Sequence, residues 1–317
     1  MRKNLKKSNI KIEDTVILSD SRVHRYWDST GFQDFYKNFR KGLALPKTLE
    51  NSADSPEIIQ KTFKLRGFQF GNWLSNEDRY NYLAACYICL YDLNKVLKFK
   101  QSNLGLDKEL VISFGSRGSS GALAHYEPRT NTINMTRYKR MDTINRQRMN
   151  LGQAPLELTK LERFIYTGGA GSFAHEYGHF LDYYFGSRYD ISPKSWSLTF
   201  GDSTNTNRIN WPAIYKLRRL TEDLMQKIFW KNEKLKTPSL YMARLEKSVK
   251  GEYFFKRNEI FARAFEQYIH YKLTNIGIYN TFLKKKKYLA AVYIPEKEFK
   301  GVVPYFDRLV EGMRSYF

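Results

Sequence analysis

The run His175-Glu176-Tyr177-Gly178-His179 sets two histidines four residues apart with a carboxylate directly after the first. On a helix, residues i and i+4 project from one face a turn apart, so both imidazoles can reach a single Zn²⁺. Glu176 then points toward the coordination position left open for water, where it can accept the proton that makes the water a nucleophile. From residue frequencies, chance yields this pattern in under roughly one such histidine-poor chain in a hundred. Two of the chain's 5 histidines occupy it. The competing reading is a pair of structural histidines on a core helix.

A catalytic zinc takes three protein ligands. One solution places Gly three and His six residues beyond the second histidine, but those positions hold Asp182 and Phe185. The other is a carboxylate from a later helix, and Glu259, in the helical stretch NEIFARAFEQY at Asn258 to Tyr268, is the expected third ligand. Glu266 is its rival, two turns further along the same face, where both cannot bind one ion. Arg263, four residues after Glu259, offers a plain helix-surface ion pair instead. Asp182, one turn after His179, is placed either to accept the second ring N–H of a ligating histidine or to be solvated. Tyr253, six residues before Glu259, is placed either to donate its phenol to the oxyanion of a tetrahedral intermediate or to pack. His125 and Glu127 in AHYEP read as a turn-stabilising pair, and His24 and His270 have no partner at ligand spacing.

These residues need elements to hold them. Ser172 as N-cap and Gly186 as stop bracket a helix over Phe173 to Gly186. Ser75 and Asp78 open another, striped by Leu83, Cys86, Leu90, Leu93 and Leu97. Leu110 to Phe114 and Asn131 to Met135 read as strands joined as a hairpin or curled edge across the glycine- and serine-rich GSRGSSGALAH. A basic helical region then runs to about Phe164. The segment Ser187 to Asn210 reads as an insertion, followed by long basic helices from Trp211 to Lys250. Tyr26, Trp27, Phe32, Phe35, Tyr36 and Phe39 recur at helical spacing in a basic leader, and Asn51 to Pro56 marks a soft boundary. The reading is α+β: a basic N-terminal extension over 1–65, followed by a small mixed or antiparallel sheet beside helices; the family resemblance given below implies a domain over 66–275 and a C-terminal extension over 276–317.

Composition narrows the class. With 42% hydrophobic residues, 22 Phe, 23 Tyr and 5 Trp in 317 residues, disorder is excluded for most of the chain. Two cysteines three apart cannot build a disulfide framework; they read as small core residues in a reducing compartment. The start, MRKNLKKSNIKIED, lacks the apolar core of a secretory signal, and no apolar run is long enough for an ordinary membrane span. A net charge of +21 implies a solvated basic surface or non-specific contact with nucleic acid.

The blocks FQFGNWLSNEDRYNYLAACYICLYDLNKVLKF, LVISFGSRGSSGALAHYEPRTNTINMTR, GGAGSFAHEYGHFLDYYFG and EYFFKRNEIFARAFEQYI, in order between about 65 and 275, resemble the zincin-type large polyvalent protein-associated domain of bacteriophages and mobile elements. HEYGHFLDYYFG and EIFARAF are also similar to the active helices of lethal-factor-type metallopeptidases. The resemblance implies a zincin-like, gluzincin-type fold with His175, His179 and Glu259 as zinc ligands and Glu176 as general base. It sets Tyr253 one residue from the position of a catalytic tyrosine. The expectation is a metallopeptidase acting on a protein or peptide, in a bacterial host cytoplasm or a phage virion. The alternative is a structural protein of the virion, such as a tail, collar or cargo component, that keeps the fold and assembles with itself or other virion proteins.

Overall fold

Short apolar runs and amphipathic helices close over one core that reaches from Phe39 to Met313. The computed structural model describes residues 39–46, 56–72, 74, 76–116, 122–136, 145–146, 148–155, 171–284 and 290–317. Five features expected from sequence lie outside these residues: the aromatic stretch from Tyr26 to Tyr36, the connection 51–55, the Ser75 cap, the loop centre 117–121 and most of the basic region 137–164.

The first half carries β1 (Arg40–Lys41), α1 (Pro56–Phe63), β2 (Gly67–Phe70), α2 (Asn76–Leu97), β3 (Val111–Phe114), β4 (Ala124–Glu127) and β5 (Thr132–Met135). A four-stranded sheet runs in the order β2-β3-β5-β4. β3 and β5 are buried at every position, as strands covered on both faces must be. They pair in parallel, Val111 opposite Thr132 and Phe114 opposite Met135. The hairpin expected between these two strands is therefore corrected. The actual hairpin joins β4 to β5 antiparallel, across a turn in which the Thr130 hydroxyl donates to the Glu127 carboxylate at 2.8 Å. Short apolar runs reveal that a strand exists but not which neighbour it pairs with.

α2 is apolar nearly all round and runs through the core. Cys86 and Cys89 are fully buried in it, and burial pushes both thiols up, away from reactivity. Asp92 of α2 accepts two bonds from Arg40, at 2.8 and 3.0 Å, and a third from Asn280 at 3.0 Å. This buried group ties β1 to β8 (Tyr279–Asn280), with which it pairs antiparallel.

The second half carries α3 (Phe173–Arg188), α4 (Lys216–Phe229), β6 (Trp230–Asn232), β7 (Thr237–Pro238), α5 (Leu240–Ser248), α6 (Arg257–Asn275), β8, α7 (Glu296–Phe299) and α8 (Val303–Arg314). Two expectations for α3 are corrected. Ser172 makes no side-chain cap bond; the carbonyl of Leu283 accepts from the Ala174 N–H instead, so a distant segment satisfies the helix start. Gly186 is not the stop, since α3 continues to Arg188. A Cβ on Gly186 would stand 2.6 to 2.7 Å from the main chain of Trp196, Ser197 and Leu198, so glycine serves close approach rather than termination. The long basic helices expected from Trp211 to Lys250 are two shorter ones split by the β6–β7 hairpin. The fold is α+β with helix predominating, and α3 lies between the sheet, at β4 and β5, and α6.

Gly186→Ala is expected to cost about 1–3 kcal/mol through overpacking against immobile backbone. Gly67→Ala, whose added Cβ meets nothing within 4 Å, serves as the control in chemical denaturation. Equal stabilities would contradict the close approach.

Candidate metal centre

α3 and α6 cross where neither has bulk. A Cβ on Gly178 would stand 3.3 Å from the Cα of Ala262 and 3.1 Å from the Phe265 ring. Because Gly178 lies between the two histidines, this close crossing brings both of them to the first turn of α6. There Glu259 sits with Oε2 at 3.4 Å from His175 Nε2 and Oε1 at 3.4 Å from His179 Nε2. Among the described residues, this is the group of His, Cys, Asp and Glu side chains able to hold a metal, with ligand atoms within 4.8 Å of one another.

The donor set fits zinc by its chemistry. At 3.4 Å the nitrogen–oxygen separations exceed those of a charge-assisted hydrogen bond, about 2.7–2.9 Å. Each histidine faces its own oxygen of Glu259, and two imidazoles with one carboxylate are the protein donors of a zinc site that keeps an open position. All three residues are buried or nearly so. Burial alone would raise the Glu259 pKa, yet the two histidines hold its carboxyl well below the usual carboxylate range. Burial alone would lower the His179 pKa, but the charge of Glu259, with Glu176 and Asp182 behind it, raises it to about 9. The cluster thus keeps its acceptor charged, and its position in the first turn of α6 adds the favourable end of the helix dipole.

The structure sorts the remaining candidates. The ion pair of Arg263 with Glu259 exists at 3.7 Å, but it is buried rather than on a helix surface. Glu266 is not beside Glu259; its Oε2 stands 3.7 Å from Nδ1, the far nitrogen of His175. Asp182 is buried, so it is not solvated. Its oxygens accept from Thr199 N at 2.9 Å and Thr199 Oγ1 at 2.7 Å, and its charge acts on His179. Glu176 is buried in α3, 6% exposed, and its charge is felt at His179. Tyr253 lies on the 3-10 turn Glu252–Phe255 before α6, its ring against Phe254 and 45% exposed. Glu127 has the turn role expected of it. β5 is interior to the sheet and paired on both sides; among the described residues β4 is the outer strand on that flank, and it packs on α3.

Three side chains at this site escaped notice in the sequence. Tyr183, a further turn along the His175–His179 face, packs on Tyr126 of β4. Its phenol is pushed up to about 12 by burial and the nearby carboxylates, against a bond with Asn258. Arg218 and Arg257, both fully buried, fasten the irregular segment between the ligand helices. Arg218 donates to the carbonyls of Gly186, Asp190, Ser195 and Ser197. Arg257 donates to those of Thr199 and Asn205 and to Glu222. The same segment returns the favour at the start of α6, where the carbonyls of Ser203 and Gly201 accept from the Arg257 and Asn258 N–H groups. The only signal for this in the sequence was two arginines inside helices that are otherwise apolar on one face.

Residues 245–317 match the model of a family described as large polyvalent protein-associated domain 1. The match takes in α6 with Glu259 and Glu266 and continues through α8, beyond the blocks that carry the resemblance. No curated protein and no solved structure matches the chain.

Gly178→Val is expected to push α6 away from α3, costing about 1–3 kcal/mol and lowering zinc uptake in equilibrium dialysis; unchanged uptake would show that the crossing does not set the site. Burial raises the Asp182 pKa from 3.8 to about 6 against the bonds from Thr199. This group's contribution is therefore fully present below pH 3.8 and is lost as pH rises through about 6. Asp182→Asn, which keeps an acceptor for Thr199 N without the charge, is expected to match the wild type near pH 4 and exceed it in stability at pH 7. A difference that stays flat with pH would contradict this account.

Proposed function

We propose that this chain is a zinc-dependent metallopeptidase-like protein of a phage or other mobile element. The observation that carries the reading is the convergence of three donors, His175 Nε2, His179 Nε2 and the Glu259 carboxylate, with ligand atoms within 4.8 Å of one another and Glu176 on the same helix turn. Zn²⁺ bound there would polarise a peptide carbonyl and lower the pKa of water toward 7. The chain's own residues supply the rest. Glu176 accepts the proton of the attacking water and returns it to the leaving amine. β4, the outer strand of the four-stranded sheet among the described residues and beside α3, would offer main-chain pairing to an extended peptide. Tyr183 and Tyr126 form an aromatic wall where that peptide would pass. The burial of the site strengthens each electrostatic contact.

The match of residues 245–317 to a polyvalent protein-associated domain supports the mobile-element setting. It also favours a second reading, a structural virion component that keeps the fold. The same experiment separates the two. Elemental analysis is expected to find about one zinc per chain in the wild type and in Glu176→Gln, and none in His175→Ala. Cleavage of a mixed peptide library by the wild type is expected to fall by about 10²–10⁴-fold in Glu176→Gln. Zinc without cleavage, together with assembly into large particles, would favour the structural reading. No zinc in the wild type, even after zinc is added, would remove the metal site and the peptidase with it.

A further inference from the structure

We propose that Glu266 is a positioning residue: its carboxylate holds the Nδ1–H tautomer of His175, so that Nε2 faces the metal with its lone pair. The inference rests on the zinc-site reading above and assigns a role to a buried carboxylate which that reading leaves idle. Glu259 and Glu266 are seven residues apart, two turns of α6, and so lie on one face. α3 crosses that face with His175 between the two carboxylates. Nε2 of His175 stands 3.4 Å from Glu259 and Nδ1 stands 3.7 Å from Glu266. One imidazole is thus spanned by two acids, each addressing a different nitrogen.

Chemistry assigns them different work. A neutral imidazole carries one N–H, and the nitrogen that ligates a metal must be the bare one. With Nε2 turned to the Glu259 and His179 cluster, the proton belongs on Nδ1, facing Glu266. A carboxylate there fixes the ring's orientation and makes Nε2 a stronger donor. Closing from 3.7 Å to a charge-assisted bond of about 2.8 Å takes less than an ångström of side-chain movement. Glu266 is fully buried, a state a carboxylate rarely adopts without charged or polar neighbours. Lys284, half-buried across from it, feels its charge. The same geometry removes Glu266 as a ligand, since it stands on the side of the ring away from Nε2.

The test is the zinc dissociation constant of the full chain, measured by competition with a chromogenic chelator, with ring ¹⁵N spectra of the histidines in the zinc-loaded protein. Glu266→Gln keeps the shape, but an amide can donate as well as accept and so no longer dictates the tautomer. It is expected to bind zinc about 10–100-fold more weakly and to shift the ring ¹⁵N signals of His175, assigned in the zinc-loaded protein by through-bond correlation to its backbone. The melting temperature of its metal-free form is expected to hold or rise, because a buried charge has gone. A residue that merely braced the helices would instead lower that melting temperature and leave zinc affinity unchanged. Should Glu266→Gln fail to fold, Glu266→Leu, of similar volume and without polar atoms, is expected to show the same loss of affinity. Wild-type affinity and unchanged ring signals in a folded variant would overturn the role of Glu266. Zinc binding by the wild type that survives His179→Ala and Glu259→Ala alike would overturn the metal site itself.

Discussion

The close crossing of α3 and α6 is the constraint on which the rest of the structure depends. Two helices approach this near only where small residues meet, and Gly178 against Ala262 provides that point. A glycine inside a helix costs roughly 1 kcal/mol relative to alanine, and here the cost is offset by geometry. With the helices farther apart, Glu259 would not stand within 3.4 Å of both histidines. The aromatic rings of Tyr177, Phe265 and Phe261 stack beside the crossing, with Phe306 tilted against them, and hold it by burial.

Buried ion pairs stand on the helix that makes that crossing. Glu222 meets Arg257 at 2.5 Å, and Glu259 meets Arg263 at 3.7 Å. Replacing such pairs by apolar residues is often neutral or stabilising, so their presence is better explained by what they position. Arg257 opens the helix that carries Glu259, and Arg263 sits one turn below it. Asp182, buried in α3 with Thr199 as its partner, anchors the segment that caps the start of α6. The net effect is that α3, α6 and the segment between them are registered to one another by directional bonds, while burial alone would allow them to slide.

Local rules made part of this visible in the sequence. The spacing of His175 and His179 fixes their common face whatever surrounds the helix, and the i, i+7 relation of Glu259 and Glu266 likewise needs only α6. What each acid meets depends on the crossing with α3, and no periodicity encodes that. Ser172 and Gly186 look like helix punctuation because serine and glycine usually are, but tertiary contacts overrode both: Leu283 supplies an acceptor and the Trp196–Leu198 backbone demands the space. β3 and β5 were legible as strands, whereas their parallel pairing was not, because it is set by which partners cover their faces. Phe39 and Ile59 on one side and Phe282 and Met313 on the other share the core. The boundaries at 65 and 275 follow the ends of the resembling blocks, and one core holds residues from both sides of each.

Arg218 holds its loop through main-chain carbonyls, and this has a consequence for how the molecule can vary. Bonds to carbonyl oxygens do not depend on the side chains of the residues that carry them. The segment from Asp190 to Ser197 can therefore exchange most of its exposed residues, Ile191 and Trp196 among them, and keep its path. Position 218 has no such freedom: a guanidinium serves four carbonyls from a planar fork, whereas an ammonium has three donors on one atom. A single invariant cation would let this loop diversify its outer face in step with whatever it meets, without disturbing the helices it joins.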